Sequence, residues 1–252
     1  MKNLAVLIVM LLIASTAIAQ DFQGIATYKT HRKMDIQLDS TQMESDMHKR
    51  IMEMMKKQFQ KTYILTFNKN ESIYKEEEQL EAPQPTGMVM VMVDTGGSDI
   101  LYKNAQEERF VSQNEVFGKI FLIKDELQKQ DWKLESETKN IGEYTCYKAT
   151  RTRMEEVVRA EISVNGDKDL DTEAEPEMEE ITIAAWYTPQ IPVNNGPRNY
   201  HGLPGLILEV NDGRETLVCS KIVINPNNKV DIAEPTKGKV ISQKEYDKII
   251  EK

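Results

Sequence analysis

Across 252 residues the chain sets 32 Lys and Arg against 41 Asp and Glu, a formal net charge of -9. Phosphate binding needs a basic surface, so nucleic acid is excluded as an expected partner. The length suits one domain with a substantial core, and no run beyond residue 19 is apolar over the ~20 positions needed to span a bilayer.

In chain order, Met1-Lys2-Asn3 precedes an apolar run from Leu4 to Ile13 and then Ala17-Ile18-Ala19. A positive start, a short apolar core and small residues at the end describe a signal peptide, with cleavage expected between Ala19 and Gln20. The apolar run is too short for an anchor, and no Cys follows that could carry a lipid. Residues 1–19 therefore read as a leader and 20–252 as a single exported domain, periplasmic or secreted. Cleavage removes one Lys, so 31 basic residues stand against 41 acidic ones and the net charge becomes -10.

Alternating β-branched and aromatic segments predict strands near 22–38, 61–68, 71–76, 88–93, 99–103, 107–112, 117–124, 132–141, 144–152, 181–187, 205–212 and 214–225. Turn chemistry separates several of them, as at Asn68-Lys69-Asn70, Gly96-Gly97 and Asn211-Asp212-Gly213, which suits an antiparallel meander. Two segments break the rhythm. Thr41-Gln42-Met43-Glu44 forms a capping box, and Met43, Met47, Ile51, Met54 and Met55 follow at helical spacing, predicting an amphipathic helix over 42–59. A second, short helix is expected over 243–251, after a Lys237-Gly238 turn. The fold class is mainly β with some α: a curved antiparallel sheet or half-barrel, one packed amphipathic helix and a short C-terminal helix.

Methionine is the first chemical temptation. Setting aside Met1 and Met10 leaves eleven of the 13 Met, with Met88, Met90 and Met92 on alternate positions. A flexible apolar core accounts for both the strand-spaced and the helix-spaced sets. The alternative is a methionine-rich copper site, with His31 and His48 as further ligands. Residues 165–180 read as an acidic loop between two strands. Asp167, Asp169 and Asp171 open like a calcium loop, but Thr172 stands where the sharp-turn Gly belongs and Met178 where the closing Glu belongs. No metal and no cofactor are expected.

Cys146 and Cys219 both lie in strand-like stretches of a chain bound for an oxidising compartment. A disulfide between them is the favoured reading and would stabilise by roughly 4 kcal/mol; two separate buried thiols are the other.

The densest stretch runs from Trp186-Tyr187-Thr188-Pro189 through Asn195-Gly196-Pro197 and Tyr200-His201 to Gly202-Leu203-Pro204-Gly205-Leu206-Ile207. Gly202, Pro204 and Gly205 specify a tight turn delivering a strand with Leu206, Leu208 and Val210 on one face. The same segment is the candidate ligand or partner loop, carried by Trp186, Tyr187, Pro189, Pro197, Tyr200, His201, Gly202, Leu203, Pro204 and Gly205. His201 is the one obvious acid/base group, and no nucleophile elbow, phosphate loop or zinc-ligand pair accompanies it, so no catalytic residue is assigned.

Residues 202–207 spell the motif of the GLPGLI family, which the chain resembles. The likeness extends to Gly24-Ile25-Ala26-Thr27-Tyr28, to Leu65-Thr66-Phe67 with Ser72-Ile73-Tyr74, and to Trp132-Lys133-Leu134 leading to Cys146-Tyr147-Lys148-Ala149-Thr150. It implies an exported protein of the Gram-negative envelope with no assigned activity. The function expected is non-enzymatic binding of a hydrophobic ligand or of an outer-membrane transport component. A hydrolase working through His201 is the alternative. A concave apolar cavity with no clustered titratable groups would favour binding, and a hydrogen bond from His201 to a buried carboxylate would favour the hydrolase.

Overall fold

The computed structural model describes residues 22–32, 60–77, 99–157 and 177–250. Within them are β1 (Gln23–Arg32), β2 (Thr62–Asn68), β3 (Glu71–Glu76), β4 (Ile100–Asn104), β5 (Arg109–Val116), β6 (Lys119–Glu126), β7 (Lys133–Ile141), β8 (Tyr144–Val157), β9 (Glu177–Thr188), β10 (Leu206–Asn211), β11 (Glu215–Ile224), β12 (Lys239–Ile241) and one helix, α1 (Gln243–Ile250). All twelve strands join one open, curled sheet in the order β12-β6-β5-β4-β3-β2-β1-β11-β10-β9-β8-β7. Neighbours are antiparallel except β12, which runs parallel to β6.

Period-two burial explains the strands. On β1, Gly24, Ala26, Tyr28 and Thr30 are buried while the residues between them are not, as a half-covered pleated strand requires. Curling lets distant strands share a core: Ala26 and Tyr28 of β1, Leu65 and Phe67 of β2 and Tyr74 of β3 pack with Leu206 and Leu208 of β10 and Cys146 of β8. A second cluster joins Ala149, Ile183, Ala185 and Tyr187 to Tyr200, Leu203, Ile207 and Val210. Beneath α1, a third combines Val116, Phe121, Ile123 and Ile241 with Tyr246 and Ile249. Ser242 caps α1 in a box with Glu245, whose carboxylate accepts from the Ser242 amide at 2.9 Å.

Several expectations change. Residues 177–180, read as part of an acidic loop, belong to β9 and pair with β8, which runs on to Val157. The like-charged register pair Glu155 and Glu179 is tolerated because Arg153 and Arg214 both reach the Glu155 carboxylate, at 2.9 and 2.8 Å. Val210 does not share a face with Leu206 and Leu208. An irregularity between Ile207 and Glu209 turns Val210 into the cluster that holds Ile207. No Cys146–Cys219 bridge is found: both are free, buried thiols that share the first cluster. Each sulfur lies near a carbonyl of its own strand, Tyr144 O at 3.7 Å and Lys221 O at 3.5 Å. The leader at 1–19, the helix at 42–59, the strand at 88–93 and residues 165–176 lie outside the described residues.

Candidate functional site

The connection from Thr188 to Leu206 carries the sequence candidates, and it is built inward. Ile191, Val193, Asn195, Pro197, Tyr200, His201 and Leu203 are buried, while Pro189, Pro192, Gly202 and Pro204 are exposed. Ile191 and Val193 enter the first cluster, and Tyr200 and Leu203 the second. Trp186 and Tyr187, adjacent on β9, point to opposite faces: Trp186 packs against the first cluster beneath the Lys139 ammonium, 4.3 Å from its ring centre, and Tyr187 lies in the second. The ten candidates therefore do not converge on one rim.

The segment's carbonyls are accounted for one by one, as buried backbone demands. Asn195 O accepts from the Ile207 amide at 3.0 Å, Pro197 O from the Tyr200 amide at 3.1 Å and Leu203 O from the Gly205 amide at 2.8 Å. Asn199 O accepts from Gln130 Nε2 and His201 O from Trp132 Nε1, both at 2.7 Å. Lys103 Nζ, from β4, donates to Gly196 O at 2.9 Å, Arg198 O at 2.7 Å and Tyr200 O at 3.4 Å. Ile207 O receives the hydroxyl of buried Tyr28 at 2.7 Å, beside the irregularity in β10.

Gly205 shows why the turn is obligatory. A Cβ there would stand 2.2 Å from Thr188 O and 2.8 Å from Pro189 N, both backbone atoms. Its φ of 159° borders on extended backbone, so the requirement is one of space. Gly202 differs: its φ of 96° suits glycine, and the nearest atom to a Cβ would be 3.5 Å away, on Trp132.

Lys103 is the residue that sequence reasoning missed. It is 2% exposed and carries its ammonium among three carbonyls, and burial lowers its pKa to about 7. A lysine alternating with Leu101 on an ordinary strand shows nothing of this in sequence, because its acceptors lie more than 90 residues away. Arg151 completes the surround, its guanidinium 5.4 Å from the centre of the Trp132 ring and 5.7 Å from that of Tyr200.

His201 is nearly buried. Burial, followed by the Lys103 cation, lowers its pKa to about 4; a backbone hydrogen bond at Gln128 opposes this and the Arg151 charge adds to it. No carboxylate is among the groups that set its protonation, so the arrangement that would favour a hydrolase is absent among the described residues. His201 and Gly202, with Asn194, line one wall of a cavity of about 640 Å³. Ala105, Glu107 and Glu108 of the β4–β5 turn, Glu126, and 127–130 form the rest. Apart from Ala105, Leu127 and Gly202 the side chains of this lining are polar, which does not suit the hydrophobic ligand expected from sequence. No cluster of three or more His, Cys, Asp or Glu side chains able to hold a metal occurs among the described residues. No described helix is long and apolar enough to cross a membrane.

Comparison with known proteins follows the same lines. No curated protein matches the sequence. Among solved structures, PNGF-II in space groups C2 and P21 superposes with a TM-score of 0.52 in each case, at 16% identity over 92% of this chain, a likeness of fold. The chain spans about a third of PNGF-II, 33% and 34% in the two structures. Residues 132–209, from the Trp132 that holds His201 O to the Glu209 beyond the irregularity in β10, match the model of Porph_ging, a family described as proteins of unknown function.

Proposed function

We propose that the chain is an exported, non-enzymatic envelope protein of the GLPGLI family that binds a ligand in the cleft beside His201. The observation that carries this is the cleft itself. Its wall at 194–202 is a segment whose backbone is satisfied and pinned, so little order has to be gained on binding. Its other side brings together Glu107, Glu108 and Glu126, with Lys129 as a cation in the same lining and Glu107 already paired with Arg109, opposite a neutral imidazole. Acceptors outnumber donors there, so the ligand class is polar, with amino or other donor groups, presented free or on a partner protein. A protein partner such as an outer-membrane transport component fits this surface better than an apolar ligand does.

Native mass spectrometry of the chain purified from its own envelope tests the reading. The expected result is a bound species on the wild type that is absent from Glu126→Lys, a variant that reverses a charge in the lining. Wild type free of any ligand or partner, or an adduct equally present on the variant, would overturn the assignment of the cleft.

A further inference from the structure

The face of β8 that carries Ala149 into the second cluster continues through Arg151 and Arg153. Arg151 is the register partner of Ile183, and the rings of Trp132 and Tyr200 are centred 5.4 and 5.7 Å from its guanidinium carbon. Stacking on two aromatic rings fixes the plane of that cation. Yet Arg151 makes no hydrogen bond and no ion pair among the described residues: its Nε is buried without an acceptor, and its two Nη groups are left to solvent. No carboxylate is among the groups that act on it. Burial lowers its pKa, Tyr200 opposes this and the Arg153 charge adds to it. The carboxylates of the surrounding elements are engaged elsewhere or point away. Arg153 and Arg214 hold Glu155 at 2.9 and 2.8 Å, further along β8 and beside its register partner Glu179. Asp212 accepts the amides of Arg214 and Glu215 at 3.2 and 2.9 Å, Glu215 pairs with Arg198, and Asp131, next to Trp132, is exposed. A part-buried guanidinium without a counter-charge is costly as folding chemistry.

We propose that Arg151, clamped between Trp132 and Tyr200, binds an oxyanion, the carboxylate or phosphate of a ligand, through its two Nη groups. The stacked rings hold the guanidinium in place before the anion arrives, so little order is lost in forming a two-point contact. They also exclude water from its faces, which strengthens a charge-assisted hydrogen bond made at its edge. Positive charge is in local excess here on a chain of net charge -9. The Tyr200 hydroxyl, pushed up by its own burial and then by Asp212, is acted on in the other direction by three guanidinium groups, those of Arg153, Arg198 and Arg151. Neither Arg151 nor either of its two rings lines the cleft beside His201, so the site stands or falls independently of the binding reading above.

Titration of the nitrogen-15-labelled chain with sodium acetate and with sodium phosphate, each against sodium chloride at equal ionic strength, tests it. The reporter is the indole N–H resonance of Trp132, which donates to His201 O beside the site. The chain has two Trp, so Trp186→Phe assigns the signal. A saturable shift of the Trp132 resonance is expected with an oxyanion and not with chloride, while the Trp186 resonance stays in place. A response to acetate that equals or exceeds that to phosphate assigns a carboxylate ligand; a tighter response to phosphate assigns a phosphate ligand. Arg151→Gln should lose the response. Arg151→Lys, which keeps the charge and lacks the fork, should bind at least ~10-fold more weakly, and it decides the matter if the Gln variant does not fold. No saturable shift with either oxyanion, an equal shift with chloride, equal movement of both indole signals, or an undiminished response in a folded Arg151 variant would each overturn the proposal.

Discussion

At Gly205 a single methyl group decides whether the segment after Thr188 can close. The obstacle is backbone on both sides of the Thr188–Pro189 bond, which cannot rotate away as a side chain would. Gly205→Ala should therefore lower unfolding free energy by about 3 kcal/mol, in urea melts without ligand. Phe117→Asn should act in the opposite direction, raising stability by about 1 kcal/mol as the left-handed position gains a residue that tolerates it. His201 acts through pH. Its pKa is lowered to about 4 by burial and the Lys103 cation, so the unfolded chain binds more protons between there and 6.5, and stability falls as pH drops through that window. His201→Gln should flatten that part of the profile in thermal melts. The need for glycine at 205 was legible in the motif, but as a dihedral requirement; the contact with Thr188 that enforces it is long-range and leaves no local trace.

At the scale of elements, the segment 194–203 is held by groups borrowed from other strands, chiefly the β4 ammonium. With the Lys103 pKa lowered to about 7 and an unfolded value near 10.5, stability should rise with pH between those limits, because the unfolded chain there carries the extra proton. Over pH 7 to 9.5 the stability of wild type should rise relative to that of Lys103→Met, a difference in which the opposing titration of the two buried thiols cancels. The two thiols make a second case. Burial raises Cys146 to about 11 and Cys219 to about 12. At pH 8 both should react with a disulfide reagent at least roughly 100-fold more slowly in the folded chain than after unfolding, which should release two thiols without reductant. Eleven of the twelve described strands were legible from alternation and turn residues. β12 was not, since three residues, Lys239-Val240-Ile241, carry too little pattern and pair in parallel with β6, more than 100 residues away. The acidic residues of 177–180 concealed a strand because the partners that pair with them in register lie on β8, about 20 residues or more away, and leave no local pattern.

For the molecule as a whole, the open sheet leaves two edges that can recruit another chain. β12 limits one edge by being three residues long. β7, nine residues long and mostly exposed, is the hazardous edge, flanked by Leu134 and Tyr147 at 56% and 39% exposure. Two features guard it. Its register with β8 is irregular between Leu134 and Thr138, and Glu135 and Glu137 converge on Lys148 at 3.4 and 2.8 Å, so charge stands along the segment where a new strand would add. Replacing both carboxylates, Glu135→Val with Glu137→Val, removes surface ion pairs worth little to stability, about 1 kcal/mol together, while giving the edge β-branched apolar side chains. Sedimentation velocity at neutral pH should then show larger, concentration-dependent species in the double variant at concentrations where wild type shows none, with the melting temperature nearly unchanged. Identical sedimentation of the two proteins would mean that the irregular register alone protects β7. In that case, restoring an even pairing between Leu134 and Thr138, by deleting the two extra residues there, is the change that should open the edge.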